Sequence, residues 1–132
     1  MAGDGKGTVH AAWADYDRDG DLDLALMSWS GTHVYRNGGS GFALATTLSA
    51  AVAGGAWADY DNDGFLDLYI TADEGPSLLL RNNGDGTFIS VQDAVTAMGR
   101  WFLGDWGDYD NDGFMDLFAC SSIGENALYH NK

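Results

Sequence analysis

Aspartate stands at the first, third, fifth and ninth positions of three nine-residue segments: Asp15–Asp23 (DYDRDGDLD), Asp59–Asp67 (DYDNDGFLD) and Asp108–Asp116 (DYDNDGFMD). Alternate carboxylates in a tight loop point inward together, and Gly at the sixth position permits the sharp turn that brings them there. Such an all-oxygen nest suits a hard cation. Calcium takes about six to eight oxygens at about 2.3–2.6 Å in flexible geometry, whereas magnesium demands near-octahedral order and keeps its waters. No His or Cys stands within the loops, so the donors preferred by zinc and copper are missing. The expected calcium ligands are Asp15, Asp17, Asp19 and Asp23 with the carbonyl of Asp21; Asp59, Asp61, Asp63 and Asp67 with that of Phe65; and Asp108, Asp110, Asp112 and Asp116 with that of Phe114. That is one ion per loop and three per chain.

An EF-hand is the nearest alternative. It requires Glu at the twelfth loop position and a helix on either side. Here that position holds Leu26, Ile70 or Ala119, and the flanks alternate as strands do. The EF-hand reading is therefore set aside.

The loops recur at intervals of 44 and 49 residues, so each belongs to a larger repeat. Before each loop stands a segment rich in small residues and ending in Trp-x: His10–Ala14, Gly54–Ala58 and Leu103–Gly107. After each loop apolar residues alternate (Leu22, Leu24, Leu26; Leu66, Leu68, Ile70; Met115, Leu117, Ala119), which reads as a half-buried strand. A third segment follows at His33–Asn37, Leu78–Asn82 and Ala127–Asn131. Asn37-Gly38 and Asn83-Gly84 then signal hairpins into a fourth segment, which the last copy lacks. The expected fold is all-β, a β-propeller of four-stranded antiparallel blades with the third blade incomplete. The expected blades are residues 1–49, 50–93 and 94–132. Small residues in the first strand fit a position near a crowded axis. Ala94–Met98 could make one helical turn; no segment sustains a helical period.

The net charge is −14, with 20 acids against 6 Lys and Arg, and twelve of those acids are the aspartates at positions one, three, five and nine of the loops. The acidity reads as a metal-site signature. It argues against nucleic acid, since no basic stripe exists to displace counterions. No apolar run approaches the ~18 residues of a membrane span. No signal peptide is legible in Met1–Gly7, which is Gly-rich. Cys120 is the single cysteine and lies in an apolar stretch, so it reads as a buried small hydrophobe.

The run Trp-x-Asp-Tyr-Asp-x-Asp-Gly-x-x-Asp-Leu, followed by Leu80-Arg81-Asn82-Asn83-Gly84-Asp85-Gly86-Thr87-Phe88, resembles the FG-GAP and VCBS repeats of integrin-alpha-like propellers, in particular those associated with ASPIC/UnbV proteins. The resemblance covers essentially the whole chain. It implies a structural calcium in each blade, an extracellular, cell-surface or periplasmic setting, and a role in adhesion, protein binding or polysaccharide contact. Such propellers have about seven blades, whereas this chain supplies fewer than three complete ones. Open blade faces favour association. The expected partner is therefore a second copy, giving a six-bladed homodimer, with the missing fourth strand a possible gift from the partner's N-terminal segment.

Trp13, Trp57 and Trp106, together with Tyr16, Tyr60 and Tyr109, recur in every repeat and read as packing residues. Arg36, Arg81 and His130 share one repeat position and read as local partners of the loops. Residues that depart from the repeat are the candidates for ligand contact: Trp29 and His33 in the first unit, Asp73, Glu74 and Pro76 in the second, and Arg100 and Trp101 before the third. An exposed Trp can stack on a sugar ring or anchor a protein. Three scattered His and two terminal Lys offer no catalytic constellation, so the chain reads as a structural or interaction module rather than an enzyme. The alternatives are a carbohydrate-binding module and a fragment of a secreted polysaccharide-active enzyme.

Overall fold

A computed structural model of the chain describes residues 7–48, 53–72, 75–91 and 101–132. The described residues contain strands and turns and no helix. Three antiparallel meanders follow one another. Sheet 1 comprises β1 (Thr8–Ala14), β2 (Asp23–Ser28), β3 (Gly31–Asn37) and β4 (Phe42–Leu48). Sheet 2 comprises β5 (Gly54–Ala58), β6 (Asp67–Thr71), β7 (Leu78–Asn82) and β8 (Phe88–Val91). Sheet 3 has three strands, β9 (Trp101–Gly107), β10 (Asp116–Ser121) and β11 (Ala127–Tyr129).

Beside the loop, the register of the first hairpin is the same in all three sheets. The residue before the loop pairs with the ninth loop residue: Ala14 with Asp23, Ala58 with Asp67, Gly107 with Asp116. The preceding Trp pairs with the following Leu: Trp13 with Leu24, Trp57 with Leu68, Trp106 with Leu117. Each acidic loop thus spans the end of a hairpin, and its carboxylates inherit their positions from the ladder.

The sheets stack face to face, with first strands β1, β5 and β9 adjacent. Between sheets 1 and 2 lie Tyr16, Ala25, Met27 and Val34 from one side and Leu68, Ile70 and Leu80 from the other, with Trp57 and Phe88 against them. Between sheets 2 and 3 lie Tyr69, Leu79 and Leu117, flanked by Tyr60, Val91, Trp106 and Tyr129. The small residues of the first strands are required by this stacking. Across the junctions, a Cβ on Gly55 would sit 2.8 Å from Met27 Cε and one on Gly104 2.7 Å from the Tyr69 ring; within its own sheet, a Cβ on Gly55 would also sit 2.5 Å from the Tyr69 carbonyl.

Four expectations are corrected. Two of the second strands are more than half-buried: β6 is buried at all five positions, because sheets 1 and 3 cover its two faces, and β2 at five of six, whereas β10 keeps Phe118 exposed. Leu22 lies before β2 and is exposed, so it does not share a strand face with Leu24 and Leu26. The hairpins after β3 and β7 do form, but not as two-residue Asn-Gly turns. Asn37 pairs with Phe42 and Asn82 with Phe88, which leaves loops of four and five residues. Cys120 is half-buried rather than buried. Ala94–Met98, Asp73, Glu74 and Arg100 lie outside the described residues.

Candidate metal centre

Loop geometry follows from two left-handed residues per copy. The fourth position takes positive φ in Arg18 (62°), Asn62 (58°) and Asn111 (61°), and the sixth does so in Gly20 (93°), Gly64 (92°) and Gly113 (91°). Gly adopts this region freely and Asn tolerates it, whereas a longer L-residue such as Arg is disfavoured there. The paired reversals wrap the backbone round the first carboxylate. Asp15 accepts from the N–H of Asp19 (3.0 Å) and Gly20 (3.0 Å), and Asp108 from those of Asp112 (3.1 Å) and Gly113 (3.0 Å). Asp59 accepts from Gly64 (2.9 Å), but its Oδ1 is buried and has no hydrogen-bond partner. The fifth aspartate accepts from the N–H at position seven: Asp19 from Asp21 (3.0 Å), Asp63 from Phe65 (2.9 Å), Asp112 from Phe114 (2.9 Å).

The ninth aspartate anchors the loop to the sheet. Asp23, Asp67 and Asp116 are buried. One oxygen of each accepts from the second loop residue: Tyr16 (3.1 Å), Tyr60 (2.9 Å), Tyr109 (3.1 Å). The other accepts from the Asn that ends the third segment: Asn37 (2.7 Å), Asn82 (2.8 Å), Asn131 (2.9 Å). A carboxylate has about four lone-pair sites, so each oxygen retains one for a cation.

Carboxylate oxygens of Asp59, Asp61 and Asp67 approach within 4.8 Å of one another, as do those of Asp108, Asp110 and Asp116 and those of Asp15, Asp17 and Asp19. Asp23 and Asp63 are not in these threefold groups, and Asp112 joins Asp110 in a group with His130. The donor set is all oxygen in the first two loops, and an orphaned buried carboxylate oxygen at Asp59 is what a cation would satisfy. These residues fit calcium. The carbonyls of Asp21, Phe65 and Phe114 remain the expected neutral donors.

The crowding of charge is visible in protonation. Burial, above all, pushes the Asp67 carboxyl up to about 6; the N–H bonds from Asn82 and Tyr60 oppose this, and the charges of Asp61 and Asp63 add to it. Asp23 is raised for the same reasons, with Asp17 and Asp19 as the like charges. Asp19 moves the other way, held down first by the Asp21 N–H and then by the Arg36 guanidinium. Arg36 pairs with Asp17 and with Asp19 (3.1 Å), Arg81 with Asp61 (3.7 Å), and His130 Nε2 lies 3.1 Å from Asp110 and 3.4 Å from Asp112. The third segment thus holds one basic side chain over each loop.

The candidate ligand-contact residues are not gathered into one place. Trp29 is exposed in the β2–β3 turn, while His33 is buried on β3 with Nδ1 3.0 Å from Thr47 Oγ1. Trp101 opens β9 in another sheet and packs edge-on against Tyr129. Sequence reasoning missed the structural weight of Asn37, Asn82 and Asn131. Their recurrence immediately after Arg or His was the available signal.

No curated protein gives a significant match to the chain. The profile of the FG-GAP-like repeat matches residues 15–70 and, overlapping them, 59–119. Each match begins at the first aspartate of a loop and runs beyond the next loop, so together they span all three acidic loops. The chain belongs to the FG-GAP-like repeat family.

Proposed function

We propose that the chain is a calcium-stapled propeller module with a structural and interaction role, each sheet serving as one blade. FG-GAP repeats are typically structural or interaction modules of extracellular or surface proteins. Among the described residues, no helix is long and apolar enough to cross a membrane. Blade limits of 1–49, 50–93 and 94–132 follow the repeat.

The observation that carries the reading is the threefold acidic loop with one unsatisfied, buried carboxylate oxygen at Asp59. Three divalent ions would offset six of the fourteen net negative charges. Metal bound only by the native state adds directly to stability, by about 2.7 kcal/mol at a hundredfold excess over Kd. Thermal unfolding in chelator and in millimolar calcium tests this. The melting temperature should rise by several degrees with calcium, and Asp59→Asn combined with Asp108→Asn should remove most of that rise. An unchanged melting temperature would refute the proposal.

Calcium here holds a scaffold, and the scaffold's use is contact. Self-assembly into a closed ring is the form of contact that the open sheet faces favour. Exposed Trp29 supports a second reading, a surface that stacks on a sugar ring. Glycan binding that Trp29→Ala abolishes would establish it, and a blank glycan array would dismiss it.

A further inference from the structure

The molecule makes the same sheet-to-sheet junction twice. In the first, Trp57 of sheet 2 stacks on Tyr16 of sheet 1 (centroids 5.7 Å apart, planes at 8°) and donates its Nε1–H to the Ala12 carbonyl at 3.3 Å. In the second, Trp106 of sheet 3 packs on Tyr60 of sheet 2 (6.1 Å) and donates to the Ala56 carbonyl at 3.4 Å. An Asn crosses each junction in the same sense: Asn82 Nδ2–H to the Tyr16 carbonyl (2.8 Å) and Asn131 Nδ2–H to the Tyr60 carbonyl (2.7 Å). The later sheet always supplies Trp and Asn. The earlier sheet always supplies Tyr, its carbonyl, and the carbonyl of the residue before its own Trp.

Sheet 1 therefore carries a donor half with nothing to receive it among the described residues. Trp13 is 55 % exposed and meets the edge of Phe42, which is the counterpart of the Phe88 that packs on Tyr16. Asn37 donates to Leu22 within its own sheet, as Asn82 does to Leu66, without the second, crossing bond. Sheet 3 carries the matching acceptor half. Tyr109 is 55 % exposed, Phe118 44 % and Leu128 52 %. Their counterparts Ala25 and Val34 in sheet 1, and Tyr69 and Leu79 in sheet 2, are fully buried. On this face lies a cavity of about 470 Å³ lined by Asp105, Trp106, Tyr109, Phe118 and Leu128. It sits where each of the other sheets receives an indole.

We propose that the sheet 3 face receives Trp13 of a second copy of this chain, its Nε1–H donating to the Asp105 carbonyl and Asn37 reaching the Tyr109 carbonyl. The occupant is a second copy because the two open faces are the unmatched halves of an interface that the chain already builds twice. A head-to-tail contact of this kind closes when its rotation completes a circle, and two copies give six sheets. The inference rests on reading the sheets as propeller blades and is independent of which metal fills the loops.

Sedimentation velocity of the purified protein in calcium should report twice the 14.1 kDa chain mass. Trp13→Ala should weaken self-association by about thirtyfold or more, as loss of a central aromatic anchor does. Leu128→Asp, on the opposite face, should do the same. Both residues are exposed in the single chain, and circular dichroism should confirm that each variant folds. Because the junction joins unlike faces, an equimolar mixture of the two variants should form a 1:1 complex through its one intact pair of faces. A monomeric wild type, a dimer indifferent to Trp13→Ala, a mixture that stays monomeric, or polymers in place of a dimer would each overturn the proposal. Calcium uptake by monomeric Trp13→Ala keeps the metal reading separate: retained uptake with lost assembly supports the proposed contact, and lost uptake would mean that Trp13 acts on the loops instead.

Discussion

Asp67 holds a proton more tightly in the fold than in the open chain. Its folded pKa of about 6 lies above an unfolded value of about 3.9. A raised carboxyl favours the native state at low pH, and that stabilisation is lost as pH rises through 6. Metal-free protein should therefore be more stable at pH 5 than at pH 7.5, by at most about 1.4 kcal/mol, as measured by urea denaturation. Asp67→Asn should flatten that dependence. With calcium present the order should reverse, since protons and the ion compete for the same oxygens. Asn82 is the other pivotal residue. It donates to Tyr16 and Leu66 and accepts from the Gly84 N–H (2.9 Å), all while buried. Asn82→Ala should cost about 2–3 kcal/mol of stability by leaving those partners unpaired. The carboxylate positions were legible in the sequence because each loop repeats its spacing letter for letter. The role of Asn82 was not, because an Asn after an Arg reads equally well as a turn residue.

The first hairpin of each sheet is fixed by its register, and its location was plain from the Trp, the loop and the alternation after it. What alternation could not convey is that β6 is covered on both faces. Leu68 and Ile70 announce one buried side, but Tyr69 on the other is buried only because sheet 3 arrives with a glycine opposite it. The Asn-Gly pairs misled for a similar reason. A local turn preference competes with the bond from the ninth aspartate to the Asn N–H, and the loop lengthens to keep that bond. Close stacking makes the small residues of the first strands indispensable. Gly55→Ala should destabilise by about 2–3 kcal/mol, since its Cβ meets a backbone carbonyl that cannot retreat without breaking the β5–β6 ladder. Thermal unfolding of Gly55→Ala beside Gly107→Ala, where nothing lies within 4 Å of the added carbon, separates crowding from the intrinsic effect of the substitution.

At the scale of the molecule, three hairpins bring three acidic loops together with their sheets. Adjacent loops also touch: Asn62 donates to the Gly113 carbonyl (3.0 Å), and the Arg18 guanidinium lies 5.5 Å from the centre of the Phe65 ring. The repeat, its strand count and the open faces could all be read from the chain. Which face meets which could not, since that depends on the indole-to-carbonyl bonds that only the stacked sheets reveal. The central claim is that three loops take up calcium. Isothermal titration of metal-free protein with calcium at neutral pH tests it most directly. The account predicts saturable binding of three ions per chain, with magnesium a poor competitor. Absence of saturable uptake would contradict it.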